Sequence, residues 1–281
     1  VFPVDSRTEE KSREAGLHLW YLVRFDKNTD LKEAMERLSG LGEISKLQIN
    51  PAIQRAYNPK KKPVPVSEAA LNRMRTRAAA DNGFKFNDAL LPHQWGYINR
   101  GAYDFATEKA PAIVGSDVNC EEAWELCTGD PEIIVAVLDE GVMYTHEDLT
   151  ANMWVNEKEQ VGSDQDNDGN GYKGDRYGYN FVKDNGNISW QAAEDTGHGT
   201  HVAGTIAAVN GNNIGVCGIA GGDGTKKGVR IMSCQVFDGD GQVRMVNEAR
   251  AIKYAADNGA VILQCSWGYN SAYSNPMQGY I

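Results

Sequence analysis

Short apolar runs alternate with stretches of helical periodicity over the second half of the chain. Three of these runs are rich in aliphatic residues without strict alternation of apolar and polar positions; they are 133–138, 230–237 and 260–266. Such strands are buried on both faces of a sheet. Helical patterns lie at 121–127, 199–209 and 245–258. Because parallel strands need helical crossovers, the pattern predicts an α/β open sheet whose sites collect at the carboxyl ends of the strands.

The first part of the chain has a smaller pattern of its own. A β-type run at 17–25 precedes a helical pattern at 30–41, for which Asp30 is the expected N-cap. Residues 44–49 alternate like a second strand. The pattern predicts a strand–helix–strand unit.

A basic, proline-punctuated stretch at 58–66, NPKKKPVPV, follows that unit and is typical of an exposed linker. It suggests a division of the chain into three regions. These are a small α+β unit over 1–58, a linker over 59–86 and the α/β domain over 87–281.

Composition narrows the class of protein. The 281 residues are 41% hydrophobic and 23% charged, as in globular domains. A net charge of −10 argues against a nucleic-acid partner, which would need a clustered basic face. No apolar run reaches the ~18–20 residues of a membrane span. The five cysteines lack the CxxC spacing of common zinc sites.

The strongest chemical signal is the stretch DTGHGTHVAGT at 195–205. In it, His198 stands between two glycines at the predicted start of a helix, where the backbone can approach a neighbour closely. Upstream, the buried run IIVAVLDEG reaches Asp139 at its end. A carboxylate that orients an imidazole is the arrangement of a general base and its partner. Asp139 and His198 are therefore the candidate catalytic pair.

A metal-dependent hydrolase is an alternative, because His201 lies one helical turn after His198. The helical zinc-protease signature, however, has a glutamate directly after its first histidine, and here Gly199 occupies that place. We therefore expect His201 to be a packed or hydrogen-bonded structural residue.

These two stretches resemble the subtilisin-like serine proteases. The family's aspartate motif, D-[ST]-G-[IV]-x-x-x-H-x-D-L, is matched from Asp139 to Leu149, with Glu140 in place of the small hydroxyl residue. The histidine motif H-G-T-H-V-A-G-T is matched without departure at 198–205. The resemblance implies a subtilisin-like parallel open sheet flanked by helices, with His198 as the base and Asp139 as its orienting partner.

The family's nucleophile motif, G-T-S-M-A, and its oxyanion asparagine are not matched within the 281 residues. The resemblance therefore implies a fragment of a serine endopeptidase whose C-terminal part is missing and which is inactive alone. The serine and the asparagine would lie beyond Ile281. The alternative is a non-catalytic, calcium-binding pseudoprotease or peptide-binding module.

The resemblance also implies a substrate site and partners. An extended peptide or protein substrate would pair, by strand addition, with residues at two edges. They are Asp240, Gly241 and Gln242 on one side and Ser266, Trp267 and Gly268 on the other. The unit over 1–58 resembles the second half of a βαββαβ propeptide, so the chain would belong to a zymogen, secreted or in the cell envelope. Its own propeptide would be a partner, and the linker over 59–86 would hold the maturation site.

The run at 260–266 would expose an apolar strand edge and face in a chain of this length. We therefore expect the chain to pair with the missing C-terminal half or with another copy of itself.

An acidic loop at 164–175, DQDNDGNGYKGD, has the spacing of a calcium loop, with oxygen ligands at positions 1, 3, 5, 7 and 12 and glycine at 6. The predicted ligands are Asp164, Asp166, Asp168, Asn170 and Asp175. A solvated acidic turn is the alternative. The family resemblance implies a second calcium site. Its ligands would be Asp148, Asn212 and the backbone oxygens of Val209, Ile214 and Val216, with Asp88 either an added ligand or a cap.

Overall fold

The computed structural model describes residues 1–55, 67, 69, 83–101, 113–191, 195–238 and 243–268. Its strands are β1 (Ala52–Arg55), β2 (Ile134–Asp139), β3 (Gly178–Asn180), β4 (Arg230–Gln235), β5 (Val243–Arg244), β6 (Ile262–Cys265) and β7 (Trp267–Gly268). Its helices are α1 (Glu9–Glu14), α2 (Leu31–Ser39), α3 (Cys120–Leu126), α4 (His198–Ala207) and α5 (Met245–Asp257). Short 3₁₀ turns lie at Leu17–Leu19, Leu91–His93 and Thr150–Asn152.

Four parallel strands form the main sheet, in the order β3-β4-β2-β6. The register places Asp139 of β2 opposite Gln235 of β4, so the two strands end at the same edge. The three predicted strands and the three predicted helices of this domain are confirmed within two residues at each end. The short strand β3 was not predicted, because three residues carry too little periodicity.

Helices cover both faces of this sheet. Alternate residues of β2, including Ala136 and Leu138, pack in a cluster with Tyr254 of α5. The intervening residue Val137 packs in a second cluster with Ala203 of α4. Every residue of β2 is therefore buried, which accounts for its unbroken apolar sequence.

A small antiparallel sheet lies beside the main one, in the order β5-β1-β7. Its central strand, β1, comes from the N-terminal part of the chain. Ile53 pairs with Val243, and Arg55 pairs with Trp267. The side chain of Ile53 is completely buried and belongs to the same apolar cluster as the sheet.

The N-terminal region differs from its sequence prediction. Helix α2 is confirmed, and Asp30 caps it by accepting a hydrogen bond from the Glu33 N–H at 3.1 Å. The predicted strands at 17–25 and 44–49 are wrong: the first contains a 3₁₀ turn, and neither is paired. Residues such as Tyr21 and Val23 are exposed there, and a β-prone run without a partner strand does not form a ladder. The strand–helix–strand pattern predicted for this region is therefore not confirmed: its helix forms, and its paired strand is β1 at Ala52–Arg55. Most of the predicted linker lies outside the described residues.

Strand β6 forms one edge of the main sheet as far as the structure describes it. Its apolar residues Ile262 and Leu263 are 50% and 37% exposed, and Val261, directly before the strand, is 68% exposed. The exposed apolar strand expected from the sequence is thus present. Within the described residues, no helix has the length and apolar character that crossing a membrane requires.

Candidate active site

Asp139 and His198 meet at the carboxyl end of β2. Both carboxylate oxygens of Asp139 lie 2.9 Å from Nδ1 of His198. The Asp139 side chain is 1% exposed, whereas the His198 side chain is 24% exposed. A buried carboxylate therefore holds one nitrogen of an imidazole that remains accessible from solvent.

Glycines let helix α4 begin close to the end of β2. Gly197, the N-cap residue of α4, has a left-handed backbone with φ of 76°. A Cβ on Gly199 would lie 2.2 Å from the carbonyl oxygen of Glu140. Since no side chain fits in that space, the two glycines that flank His198 set its distance from Asp139.

Glu140 is a second buried carboxylate at this end of the strand. It accepts hydrogen bonds from the N–H groups of Thr196 at 2.9 Å and His198 at 3.2 Å. The Thr196 hydroxyl also donates to it at 3.1 Å. An oxygen of Glu140 lies 3.0 Å from a guanidinium nitrogen of Arg55, in an ion pair whose side chains are 0% and 2% exposed.

This ion pair was missed from the sequence. The position of Glu140 was noticed only as a departure from a motif. A charged residue directly after a completely buried strand is nevertheless a signal, because a buried carboxylate requires a cation or several donors. Arg55 carried no comparable signal, since it lies in a distant part of the chain.

The predicted substrate-binding residues are described on one side only. Trp267 and Gly268 form β7, which pairs with β1, and the Trp267 indole N–H donates to the Leu138 carbonyl at 3.1 Å. Ser266 precedes this strand, and its hydroxyl accepts from Gln264 at 3.2 Å. Asp240, Gly241 and Gln242 lie outside the described residues, although β5 begins directly after them.

An acidic cluster lies at the predicted calcium loop. Carboxylate oxygens of Glu159, Asp168 and Asp175 lie within 4.8 Å of one another. Asp175 accepts from the Tyr254 hydroxyl at 2.7 Å and from the Asn170 amide at 2.9 Å. Its burial raises the pKa of Asp175 to about 6. The arrangement concentrates negative charge where oxygen ligands for a hard cation would be placed.

The loop spacing and the cluster do not name the same residues. Asp164 is exposed and lies outside the cluster. Asp166 accepts from the N–H groups of Gly169 at 2.7 Å and Gly171 at 2.9 Å, so it braces the turn. Glu159 was missed because it precedes the twelve-residue loop. The guanidinium of Arg7 lies 3.7 Å from Asp168 and adds positive charge there.

Two further carboxylates are buried near the loop that follows α4. Asp148 accepts from the Asn212 amide at 2.8 Å and the Val216 N–H at 2.9 Å, and its carbonyl accepts from the Val209 N–H at 2.9 Å. The Ile214 N–H donates to Asn212 at 2.8 Å. These contacts bring the predicted second calcium loop around Asp148.

Asp88 is the other carboxylate of this site. One of its oxygens accepts from the Gly211 N–H at 2.7 Å, and the other has no hydrogen-bond partner among the described residues. Burial raises the pKa of both Asp88 and Asp148. A buried carboxylate oxygen without a donor fits a position where a cation would be the partner.

Comparison with known proteins finds relatives of this sequence. Residues 130–280 match the Subtilase family. The chain is 33% identical over 214 residues to "Subtilisin-like protease 1" of Plasmodium vivax. The matched region covers 75% of this chain and 30% of that protein. It is 33% identical over 151 residues to "Halolysin-like extracellular serine protease Nep" of Natrialba magadii, which covers 54% of this chain and 23% of that protein.

A solved structure is also similar. The serine protease of Aeromonas sobria in complex with the chaperone ORF2 is 24% identical, with a TM-score of 0.48, over 69% of this chain and 28% of that one. The chain thus spans less than a third of the length of each of these relatives.

Proposed function

The chain belongs to the subtilase family, and from that premise we propose that the whole protein is a serine endopeptidase. The observation that carries this proposal is the contact of both Asp139 oxygens with Nδ1 of His198, at 2.9 Å, beside an imidazole that stays open to solvent. This is the relation that a base and its orienting carboxylate require.

The proposed chemistry begins at the imidazole. Asp139 accepts a hydrogen bond from the protonated Nδ1 of His198, and this tautomer leaves Nε2 as the basic nitrogen. Nε2 takes the proton of a serine hydroxyl as that oxygen attacks the scissile carbonyl, and then donates it to the leaving amine. Asp139 stabilises the imidazolium formed between the two steps. The family resemblance supplies the serine and the oxyanion asparagine from beyond Ile281.

We propose that the substrate is an extended peptide bound by strand addition. Trp267 and Gly268 would pair with its backbone on one side, and Asp240, Gly241 and Gln242 would pair on the other. The support is that β1, a strand from the N-terminal part of the chain, pairs with β7 and with β5. The same pairing supports the proposal that the chain's own N-terminal region acts as a propeptide.

We propose calcium as the cofactor, at the cluster of Glu159, Asp168 and Asp175 and at the site of Asp148 and Asp88. The support is the close approach of three carboxylates at the first site and the unpartnered Asp88 oxygen among the described residues at the second. Bound calcium would neutralise the mutual repulsion of these groups and so stabilise their loops.

We further propose a secreted zymogen as the form in which the protein is made. The relative from Natrialba magadii carries the word extracellular in its name, which supports export of this protein. The rest of the protein, or a second copy of this chain, would cover the apolar strand β6.

A matched pair of histidine variants tests the proposed activity. In the full-length natural product, His198→Ala should lower the hydrolysis of casein, an unfolded protein substrate, by at least about a thousandfold, because the base is removed. The control is His201→Ala. His201 lies one turn along the same helix and is exposed, not packed as its sequence pattern predicted, so this variant should keep the parent activity. Equal activity of the two variants, or an inactive parent protein, would overturn the proposal.

A further inference from the structure

We infer that Glu140 makes this site selective for peptides with an arginine on the amino side of the scissile bond. In this structure, Arg55 of β1 occupies the place of that arginine. The inference rests on the proposed peptidase function and names its substrate class.

The position of β1 is the first step. Its backbone pairs antiparallel with β5 through Ala52 and Ile53, and with β7 through Gln54 and Arg55. Because such pairing uses backbone groups, many extended peptides could take this place. Selection among them depends on the side chains that the strand directs into pockets.

The pocket that receives Arg55 is the second step. The Arg55 side chain is 2% exposed, and its guanidinium lies 3.0 Å from an oxygen of the fully buried Glu140. The ring centroid of Phe237 lies 5.5 Å from the guanidinium carbon, which adds a cation–π contact. A buried carboxylate beside an aromatic face suits a guanidinium, which is planar and always charged.

The fixed position of Glu140 is the third step. Its oxygens accept hydrogen bonds from the N–H groups of Thr196 and His198. These contacts do not involve β1, so they would hold the carboxylate in place when a substrate replaces β1. A charge in a covered site is destabilising when its counter-ion is removed. An arriving arginine would restore the pair, whereas a neutral side chain would cover the carboxylate and leave it without a cation.

The direction of β1 is the fourth step. The strand approaches His198 at its Arg55 end, because Glu140 contacts both Arg55 and the His198 backbone. An extended strand advances about 3.3 Å per residue, so the base is reached within a few residues after the arginine. Ile53 lies on the same face of β1 and is completely buried. The preferred substrate thus contains an aliphatic residue, then any residue, then an arginine. The bond that is cut follows within a few residues on the carboxyl side of this arginine.

Two peptides with the sequence of residues 50–59, NPAIQRAYNP, test this inference with the full-length natural product. One has arginine at the sixth position, and the other has citrulline, which has the same shape but no charge. We expect kcat/KM to be about 30-fold or more higher for the arginine peptide, as expected for a covered ion pair that loses its charge. Product masses should place the cut on the carboxyl side of the arginine.

Variants of the protein complete the test. In Glu140→Gln the ratio between the two peptides should fall towards one, because glutamine still accepts a hydrogen bond but has no charge. The control is Glu132→Gln, an exposed glutamate near the other end of β2, which should keep the parent ratio. Should Glu140→Gln not fold, the ratio in the parent protein decides.

Each outcome has a definite meaning. Casein hydrolysis with equal rates on the two peptides, or with no cleavage of either, would overturn the arginine preference while the proposed peptidase activity stands. Loss of the preference in Glu132→Gln as well would also overturn the role of Glu140. Absence of any hydrolysis, of casein included, would remove the proposed function and with it this inference.

Discussion

Asp139 and Glu140 are adjacent acidic residues at the end of β2, and they have different partners. Asp139 directs both oxygens to the imidazole of His198, whereas Glu140 contacts the backbone before and at His198 and the guanidinium of Arg55. Asp139 is the last residue of β2, whereas Glu140 lies in the bend that follows the strand. In the proposed function, the first carboxylate orients the base and the second binds the substrate.

A third buried acid, Glu248 in α5, allows a test at the level of one residue. One of its oxygens has no hydrogen-bond partner among the described residues, and burial raises its pKa to about 8 from a usual value near 4.5. The folded state therefore binds a proton that the unfolded state releases. The stability linked to this proton is fully present below about pH 4.5 and is lost as the pH rises through 8.

Glu248→Gln should remove this dependence, because glutamine stays neutral. Relative to the parent, the variant should gain on the order of 1–3 kcal/mol of unfolding free energy between pH 5 and pH 9. Urea unfolding of the chain at both pH values measures the change. Glu132→Gln, an exposed control, should show no such trend. A stability difference for Glu248→Gln that is the same at pH 5 and pH 9 would contradict the account.

At the scale of elements, the contact between α4 and the end of β2 determines the geometry of the site. Gly199 faces the Glu140 carbonyl with no room for a methyl group, whereas Gly204 in the same helix has open space around its Cβ position. Substitution by alanine should therefore change the stability of the fold in opposite directions at these two glycines.

Gly199→Ala should destabilise the fold by about 1–3 kcal/mol, because the added Cβ forces α4 away from β2. Gly204→Ala should stabilise it by about 0.5–1 kcal/mol, because alanine loses less backbone entropy in a helix. Chemical denaturation of both variants measures these changes. Equal effects in the two variants would show that α4 does not pack against β2 as described.

The carboxylate cluster and the twelve-residue loop spacing indicate different calcium ligands, and substitutions in the acidic loop distinguish between them. Calcium should raise the melting temperature of the protein, and Asp168→Asn should weaken calcium binding by at least about tenfold, because Asp168 belongs to the buried cluster. Asp164→Asn should bind as the parent does, since Asp164 is exposed and outside that cluster. Calorimetric titration of the two variants measures this difference. Similar losses in both would favour the twelve-residue spacing instead.

Helices and buried strands were predictable because their side-chain periods are local properties. The main strands read as unbroken apolar runs, and Asp30 marked the start of α2. The N-terminal strands failed for the opposite reason: the run at 17–25 has β-prone residues, but a strand exists only where another strand pairs with it. Pairing depends on distant residues, which a local pattern does not contain.

In the whole molecule, some residues of the candidate site could be predicted from the sequence and others could not. Asp139 and His198 could be paired from their motifs, because each stands at an element boundary. The ion pair of Glu140 with Arg55 and the place of Glu159 in the acidic cluster could not, since long-range packing brings those residues together. Such contacts follow from the topology of the folded chain.

The main sheet ends, within the described residues, in an apolar edge strand, β6. Strand β6 exposes aliphatic side chains, and apolar edge strands of this kind favour pairing with another chain or segment. This supports the proposal that the rest of the protein, or a second copy, covers β6. The site at the end of β2 and this edge would then belong to one continuous sheet.

In the proposed mechanism, Asp139 and His198 activate a serine that the whole protein supplies. The most direct measurement is labelling of the full-length natural product by a fluorophosphonate probe, with the labelled residue identified by mass spectrometry. We expect a label on a serine after Ile281. The labelling rate should be lower by about four orders of magnitude in Asp139→Asn, because the imidazole loses its orienting carboxylate. A protein that takes no label, or that reacts at Ser266, would contradict this mechanism.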